Sequence, residues 1–215
     1  MGGEQYQSAT GHPRDLVMPV EQLILFDIQV TQWINQLHHP VADVIFGVVS
    51  RLGDAGAAWM AVAVMLAIFG ARRERVTTLI FVSILMMTEY LIMPYLRELW
   101  PRPRPFLYLE GIRTIGPEWD RPAFPSSHSH LWVQATVLFA GVYPRLRWPL
   151  IVLMVLSLYS RPYVGNHHVL DVVGGAVVGL GAGMLGLTIA SKLGLIADEM
   201  DEPATEDPEL DITEV

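Results

Sequence analysis

Residues 160–171 combine a cation, two histidines and a carboxylate at spacings that suit chemistry on an anionic group. His167 and Asp171 are four residues apart, and an apolar run follows them. If a helix begins near His167, both side chains lie on one face of it. The carboxylate can then accept the proton of one ring nitrogen and leave the other nitrogen free as a base or nucleophile. Arg161 adds a planar fork of donors that matches phosphate. His168 has Val172 four positions on, so no such partner is predicted for it.

Two earlier stretches carry further polar groups beside apolar segments. Residues 97–105 place Arg97 and Arg104 in a proline-rich run that follows an apolar segment. Residues 125–128 read Pro-Ser-Ser-His and precede another apolar segment. Arginine side chains can neutralise the oxygens of a transferred phosphoryl group, and the start of a helix favours anions. The three stretches together therefore indicate a phosphate-binding site with two histidines available for proton or phosphoryl transfer.

These stretches resemble the motifs of the type 2 phosphatidic acid phosphatase superfamily. The pattern of that superfamily is Lys-x6-Arg-Pro, then Pro-Ser-Gly-His, then Ser-Arg-x5-His-x3-Asp. The first motif matches with Arg97 in place of Lys, the second with Ser127 in place of Gly, and the third without a departure. The resemblance covers roughly residues 20–192.

The resemblance implies phosphoryl transfer through a phosphohistidine. It assigns His167 as the nucleophile, His128 as the general acid and Asp171 as the carboxylate that orients the nucleophile. The phosphate-binding residues that it implies are Arg97, Arg104, Ser126, Ser127 and Arg161. A serine at position 127 is costly if the backbone there needs a positive φ, and it serves as well as glycine if only the backbone amide is needed.

The charged residues beside the motifs predict a reaction that needs no metal ion and no cofactor. The motifs have no neighbouring cluster of Asp and Glu that would hold magnesium. The chain also has no cysteine, which excludes disulfides and thiolate metal sites. We therefore expect arginines to neutralise the phosphate charge.

The apolar residues, 52% of the chain, come in blocks that indicate a membrane protein. Apolar segments lie at about residues 55–71, 76–96, 129–144, 147–160 and 168–192. Residues 19–37 mix apolar and polar positions, and Asp27 among them argues for an interfacial amphipathic helix instead of a span. Residues 40–51 are apolar but too short to span. We predict an all-α, membrane-embedded helical bundle with about five transmembrane helices plus N-terminal amphipathic helices.

Basic residues outside the motifs set the predicted orientation. With five spans, the arginines at 72–75 and 145–147 and the lysine at 192 fall on one side, which the positive-inside rule makes cytoplasmic. The motifs then face the extracytoplasmic side of the cell membrane. Residues 1–16 are predicted to be a flexible arm, and 17–193 the membrane-embedded phosphatase domain. Residues 194–215 are predicted to be a disordered cytoplasmic tail, because their composition is strongly acidic.

Glu89 and four histidines lie outside the motifs. Glu89 lies inside an apolar segment, where an ionisable group is a functional candidate. We favour the other reading, in which it is a buried partner for a polar group on another helix. The four histidines outside the motifs are predicted to be surface or interfacial residues and not ligands. They are His12, His38, His39 and His130.

The favoured function is an integral membrane lipid phosphatase acting on a lipid phosphate or diphosphate monoester. Candidate substrates are an isoprenyl diphosphate, a phosphatidate or a phosphatidylglycerophosphate. Its partners would be this substrate and the lipid bilayer, with no nucleic acid, and the oligomeric state stays open. Alternatives are a lipid phosphotransferase that uses the same intermediate and an inactive protein that binds lipid phosphates. A vanadium haloperoxidase shares the anion pocket, but the five apolar segments argue against it.

Overall fold

The computed structural model describes residues 19–196, apart from the side chain of Ala55, and all its regular elements in that range are helical. The α-helices in chain order are α1 (Val20–Gln36), α2 (Pro40–Leu52), α3 (Ala57–Phe69), α4 (Arg72–Met87), α5 (Met93–Leu99), α6 (Pro105–Tyr108), α7 (Ser127–Val142), α8 (Arg147–Tyr163) and α9 (Val169–Lys192). The predicted arm (1–16), the histidine at position 12 and nearly all of the predicted tail lie outside the described residues. The predicted all-α class is confirmed.

Two helices are long and apolar enough to cross a bilayer. One runs over Arg72–Leu99, where a π-helical turn at Thr88–Ile92 joins α4 to α5, and the other is α9. The α2 and α3 pair, bent by 51°, makes a third span if it crosses as one unit. Three other helices are shorter than a typical span: α3 has 13 residues, α7 has 16 and α8 has 17. The number of about five spans therefore stays a prediction.

The centre of the bundle is α7, which is buried along most of its length and packs most extensively against α9. Glycines four residues apart allow the two backbones to approach closely. A Cβ atom on Gly175 would lie 2.2 Å from the carbonyl oxygen of Ser126, and one on Gly179 would lie 2.5 Å from that of His130. Small residues at such a contact are typical of helix pairs in membranes. This contact fixes the Pro-Ser-Ser-His stretch against the helix that follows the third motif.

The polar face of α1 points into the protein. Asp27, Thr31 and Asn35 follow one another at intervals of four residues and are 3%, 0% and 1% exposed. The apolar side chains of Phe26 and Trp33 are instead 58% and 61% exposed. A helix on the surface of a water-soluble protein has the opposite arrangement. The carboxylate of Asp27 binds groups inside the bundle, and the interfacial placement of this helix stays a prediction.

Arg73 ties together the ends of three helices. Its guanidinium donates to the carbonyl oxygen of Val142, at the end of α7, over 2.6 Å. It also donates to the carbonyl oxygen of Leu195, just after α9, over 2.8 Å. Both α7 and α9 begin at the motif residues and end here. The arginines at the start of α4 therefore lie at the end of the bundle opposite the motifs.

Candidate active site

The three motif stretches line one cavity of about 370 Å³. The motif residues in its wall are Arg97, Arg104, Ser127, His128, Arg161 and His167. They come from the end of α5, the start of α6, the start of α7, the end of α8 and the loop before α9. Six of the eight predicted site residues are therefore brought together.

Nε2 of His167 contacts an arginine in this cavity. Nη1 of Arg104 lies 3.2 Å from Nε2 of His167. Because arginine can only donate, Nε2 must be the acceptor, and a neutral ring then carries its proton on Nδ1. Burial lowers the pKa of His167 from its usual 6.5 to about 3, and the nearby charges of Arg161 and Arg104 act in the same direction. His167 is thus neutral at neutral pH, the state that a nucleophile needs.

Asp171 lies behind His167 and is fully buried. Its Oδ2 is 3.7 Å from Nδ1 of His167, which is longer than a hydrogen bond. The same oxygen accepts from the backbone N–H of His168 over 2.8 Å and lies 3.1 Å from Nδ1 of that ring. The predicted pairing at i and i+4 is therefore present only as a long contact.

The prediction that His168 lacks a partner is wrong. The helix begins at Val169 instead of near His167, so His168 is its N-cap and Asp171 its third residue. Asp171 caps the start of the helix, because its Oδ2 accepts from the backbone N–H of His168. Because the carboxylate of Asp171 can only accept, Nδ1 of His168 donates to it, and Nε2 of a neutral His168 ring then accepts from the hydroxyl of Tyr108 over 2.8 Å. His168 therefore holds the carboxylate, while His167 faces the cavity.

His128 occupies the first turn of α7. Its Nε2 lies 2.7 Å from the hydroxyl oxygen of Ser157 on α8. The ring packs directly on Gly53, where a Cβ atom would lie 2.0 Å from Cε1 of His128. Any larger residue at position 53 would displace the ring, so the turn between α2 and α3 helps to set the position of His128.

Two buried arginines are oriented by groups that leave donors free for the cavity. Arg161 donates to the hydroxyl of Ser50 and lies 3.5 Å from a carboxylate oxygen of Asp54. Arg104 donates to the carbonyl oxygens of Arg121 over 2.9 Å and Asn166 over 3.0 Å. Burial lowers the pKa of Arg104 to about 10, which still leaves it charged at neutral pH. Both side chains can therefore bind a phosphate at the position that His167 faces.

A family-wide profile described as the PAP2 superfamily matches residues 76–194, more than half of the chain. This protein belongs to the PAP2 superfamily. The resemblance inferred from the three motifs is thereby confirmed. PAP2 phosphatases are phosphoric ester hydrolases, and this is the enzyme class that the match supports.

Two curated proteins are similar in sequence. Undecaprenyl-diphosphatase BcrC of Bacillus subtilis (strain 168) is 34% identical over 85 residues, which cover 39% of this chain and 42% of BcrC. The chain thus aligns with less than half the length of that relative. An undecaprenyl-diphosphatase of Sulfolobus acidocaldarius is 27% identical over 172 residues, covering 80% of this chain and 82% of the relative.

Two solved structures share the fold. LpxE of Aquifex aeolicus has a TM-score of 0.65 and 27% identity, over 75% of this chain and 94% of LpxE. The transmembrane PAP2 type phosphatidylglycerolphosphate phosphatase of Bacillus subtilis has a TM-score of 0.63 and 21% identity, over 84% of this chain and 90% of that protein. At that identity the second likeness concerns the fold alone.

The two departures from the PAP2 pattern are in contact with Glu89. Nη2 of Arg97 donates to Oε1 of Glu89 over 3.0 Å, and the hydroxyl of Ser127 donates to the same oxygen over 2.8 Å. Arg97 also donates to the hydroxyl of Ser127. Ser127 is the first residue of α7 and has a helical backbone, so position 127 needs no positive φ in this chain. Glu89 binds Ser127 of another helix, but its side chain is 27% exposed and lies in the cavity wall, so the expectation of a buried partner is met only in part.

Ser126 differs from its predicted role among the phosphate-binding residues. It is fully buried and is not one of the described residues that line the cavity. Its hydroxyl oxygen caps α7 by accepting from the backbone N–H of Ser129 over 3.4 Å. Its own N–H donates to the carbonyl oxygen of Asp171 over 3.0 Å. In this PAP2 protein Ser126 therefore joins the second motif to the third.

His130 is not at the surface, and that prediction is wrong. It is fully buried, with Nε2 2.8 Å from the hydroxyl oxygen of Thr88. Its Nδ1 is 3.7 Å from Oε2 of Glu89. His130 lies two residues after the motif histidine His128, on the side of α7 that faces the π-helical turn. His38 and His39 are exposed, as predicted.

Arg102 is the main site residue that the motif pattern did not point to. Its Nη1 donates to Oδ1 of Asp171 over 3.1 Å, and its Nη2 donates to Oδ2 of Asp27 over 2.5 Å. The sequence signal was present, since Arg102 stands in the Pro-Arg-Pro-Arg-Pro run, but nothing in the sequence paired it with α1.

Among residues 19–196, no group of three or more Asp, Glu or His side chains is arranged to hold a metal ion.

Proposed function

We propose that this protein is an integral membrane lipid phosphatase that hydrolyses a lipid phosphate or diphosphate monoester through a phosphohistidine on His167, without a metal ion. The observation that carries the proposal is the convergence of His167, His128 and three arginines on one cavity. Metal-free phosphoryl transfer requires a neutral imidazole with an unprotonated Nε2, a second imidazole and several fixed cations, and the cavity holds this set.

The proposed reaction has two steps. In the first, Nε2 of His167 attacks phosphorus, the bond from phosphorus to the leaving oxygen breaks, and His128 gives that oxygen a proton. The Nε2–phosphorus bond leaves the ring cationic, and Asp171 stabilises that charge. In the second step, a water molecule gives a proton to His128 and attacks phosphorus, and the Nε2–phosphorus bond breaks. Arg97, Arg104 and Arg161 neutralise the phosphoryl oxygens in both steps.

An isoprenyl diphosphate is the favoured substrate class. Both curated relatives are undecaprenyl-diphosphatases. The cavity wall combines the charged motif residues with apolar side chains from α3, α4 and α7, namely Met60, Leu85, Met86 and Leu131. A wall of this kind suits a phosphate head attached to an apolar chain.

We further propose that the cavity faces the extracytoplasmic side of a domain spanning residues 17–193, with about five membrane crossings. The direction of successive helices supports this arrangement. They run alternately away from and toward the end of the bundle that carries the motifs, in the order α3, α4–α5, α7, α8 and α9. The contacts of Arg73 with Val142 and Leu195 also support it, because they gather basic residues at the other end.

Phosphate release tests the proposed activity. The full chain, purified in detergent, is expected to release inorganic phosphate from an isoprenyl diphosphate, with His167→Ala as the inactive control. Phosphatidate and phosphatidylglycerophosphate form the rest of the panel. Transfer to an added alcohol without release of free phosphate would identify a phosphotransferase instead. Binding of these lipids without turnover of any of them would identify an inactive binding protein.

A further inference from the structure

The N-terminal helix α1 reaches the carboxylate behind His167 through a single arginine. Asp27 of α1 lies outside residues 76–194, the part that the PAP2 profile matches. Arg102 lies between two carboxylates, with Nη2 2.5 Å from Asp27 and Nη1 3.1 Å from Asp171. The exposed fractions of the three side chains are 5% for Arg102, 2% for Asp27 and 0% for Asp171. The three charges therefore interact with little screening by water.

The balance of charge in this trio determines what Asp171 can offer to His167. An arginine paired with Asp171 alone would neutralise it and weaken its attraction for a cationic ring. Because Nη2 of Arg102 binds the second carboxylate, that of Asp27, the trio carries one net negative charge. That charge lies 3.7 Å from Nδ1 of His167, measured to Oδ2 of Asp171. Arg102 can thus orient Asp171 without cancelling its charge.

Asp27 also holds the start of α9. Its second oxygen, Oδ1, accepts from the backbone N–H of Leu170 over 2.8 Å. One turn further along α1, the hydroxyl oxygen of Thr31 accepts from the backbone N–H of Val169 over 3.2 Å. The first N–H groups of a helix have no partner within the helix, so α1 supplies partners for two of them. These contacts fix the backbone from which Asp171 projects.

We propose that Asp27 is a positioning residue for phosphoryl transfer, because it balances the charge of Arg102 and thereby keeps Asp171 negative and fixed behind His167. This proposal rests on the function proposed above. The ring of His167 becomes cationic only when its bond to phosphorus forms, so the charge of Asp171 matters more in the transition state than in substrate binding. The phosphate-binding arginines do not touch Asp27. Its loss should therefore lower kcat and leave KM nearly unchanged.

The test compares Asp27→Asn with Glu21→Gln, which removes an exposed carboxylate from the same helix. Asp27→Asn keeps the size of the side chain and an oxygen for the N–H of Leu170. We expect its kcat to fall about 10–100-fold, the range found when groups that orient functional histidines are removed, with KM within about twofold. Glu21→Gln should match the wild type. An Asp27→Asn enzyme with wild-type kcat overturns the proposal.

A double variant separates charge balance from general damage. Asp27→Asn combined with Arg102→Gln removes one negative and one positive charge, so Asp171 stays negative. We expect its kcat to exceed that of Asp27→Asn alone, and Arg102→Gln alone to be less active than the double variant. The double variant restores the trio's net charge of one negative, the value in the wild type, whereas Asp27→Asn alone leaves the trio neutral. A folded double variant that is no more active than the product of the two single effects contradicts the proposal.

Vanadate binding gives a readout that needs no turnover. Vanadate forms a five-coordinate adduct on the nucleophilic histidine that resembles the transition state. We expect its Kd to rise about tenfold in Asp27→Asn, in parallel with kcat, and to stay unchanged in Glu21→Gln. If the wild type binds vanadate but releases phosphate from no lipid phosphate, the proposed function fails. The Asp27 proposal is then judged on this shift alone, and an unchanged Kd overturns it.

Discussion

Arg97 donates a hydrogen bond to the hydroxyl of Ser127, so the two positions at which the chain departs from the PAP2 motifs are in direct contact. Both also bind Oε1 of Glu89. A lysine at position 97 has a single ammonium in place of the guanidinium fork, and a glycine at 127 has no hydroxyl. The two departures therefore belong to one hydrogen-bonded unit in the cavity wall.

This contact predicts that the two substitutions are not independent. We expect Arg97→Lys and Ser127→Gly each to lower kcat/KM, and the double variant to be more active than the product of the two effects. Residues in contact typically couple by about 0.5–3 kcal/mol. A double-mutant cycle on phosphate release measures this coupling. Ser127→Gly combined with the distant Glu21→Gln is the control pair and should be additive. Additivity in both cycles would contradict the contact.

The motif spacing predicted most of the polar residues that gather at the cavity, but it also included Ser126, which does not line it. The motif spacing identified His128, His167 and the three arginines, and the cavity brings all of them together. Hydropathy also located the long helices well, since the segments predicted at 76–96 and 168–192 correspond to Arg72–Leu99 and Val169–Lys192. These features are local in sequence, and short motifs and apolar runs report them directly.

The sequence did not reveal contacts between distant elements. Asp27 looked like a reason to place α1 at the interface, because an amphipathic pattern does not say which face meets lipid and which meets protein. The burial of His130 depends on the π-helical turn that carries Thr88, which no local pattern announced. His168 and Asp171 pair because the helix begins two residues later than predicted. The partner of Asp27 and the burial of His130 depend on tertiary packing, whereas the pairing of His168 depends on the residue at which α9 begins.

The lowered pKa of His167 predicts a dependence of stability on pH. The pKa falls from 6.5 to about 3 on folding. Between these values the unfolded chain binds the proton and the folded chain does not. The stability that His167 contributes is therefore fully present above pH 6.5 and is lost as the pH falls toward 3. We expect the thermal midpoint to drop less in His167→Gln than in the wild type between pH 7.5 and pH 5. The exposed His38→Gln is the control, and an equal drop in all three proteins would contradict the lowered pKa.

Metal removal tests the role given to the arginines. If Arg97, Arg104 and Arg161 neutralise the phosphoryl oxygens, phosphate release should persist in excess EDTA. Vanadate should inhibit competitively under the same conditions. Activity that is lost in EDTA and restored by magnesium would show that the arginines are not sufficient. Arg104→Lys is a useful comparison, because a lysine keeps the charge but loses the fork, and kcat/KM should fall.

Cysteine labelling tests the orientation in the membrane. The chain has no native cysteine, so a single introduced thiol gives an unambiguous signal. Asp120→Cys, in the exposed loop between α6 and α7, should react with a membrane-impermeant reagent in intact cells. Arg145→Cys, between α7 and α8, should react only after the cells are permeabilised. The reverse labelling pattern would place the cavity in the cytoplasm.

The division of labour between the two histidines can be tested through the leaving group. A nucleophile is needed whatever the leaving group is, so His167→Ala should abolish turnover of every substrate. A general acid matters most when the leaving oxygen is strongly basic. His128→Ala should therefore strongly impair hydrolysis of an alkyl phosphate and retain much more activity on an aryl phosphate such as p-nitrophenyl phosphate, with a difference of roughly 10²–10⁴-fold.

Two further substitutions test the roles proposed for Asp171 and His168. Asp171→Asn should have intermediate activity, because His167 remains but loses its stabilising charge. His168→Ala should lower activity without abolishing it, since His168 holds Asp171 and is not among the described residues that line the cavity. Steady-state rates on both phosphates measure all four variants. Equal losses in His128→Ala and His167→Ala on both substrates would overturn the assigned roles. An inactive His168→Ala beside an active His167→Ala would instead make His168 the nucleophile, against the geometry in which only His167 meets Arg104.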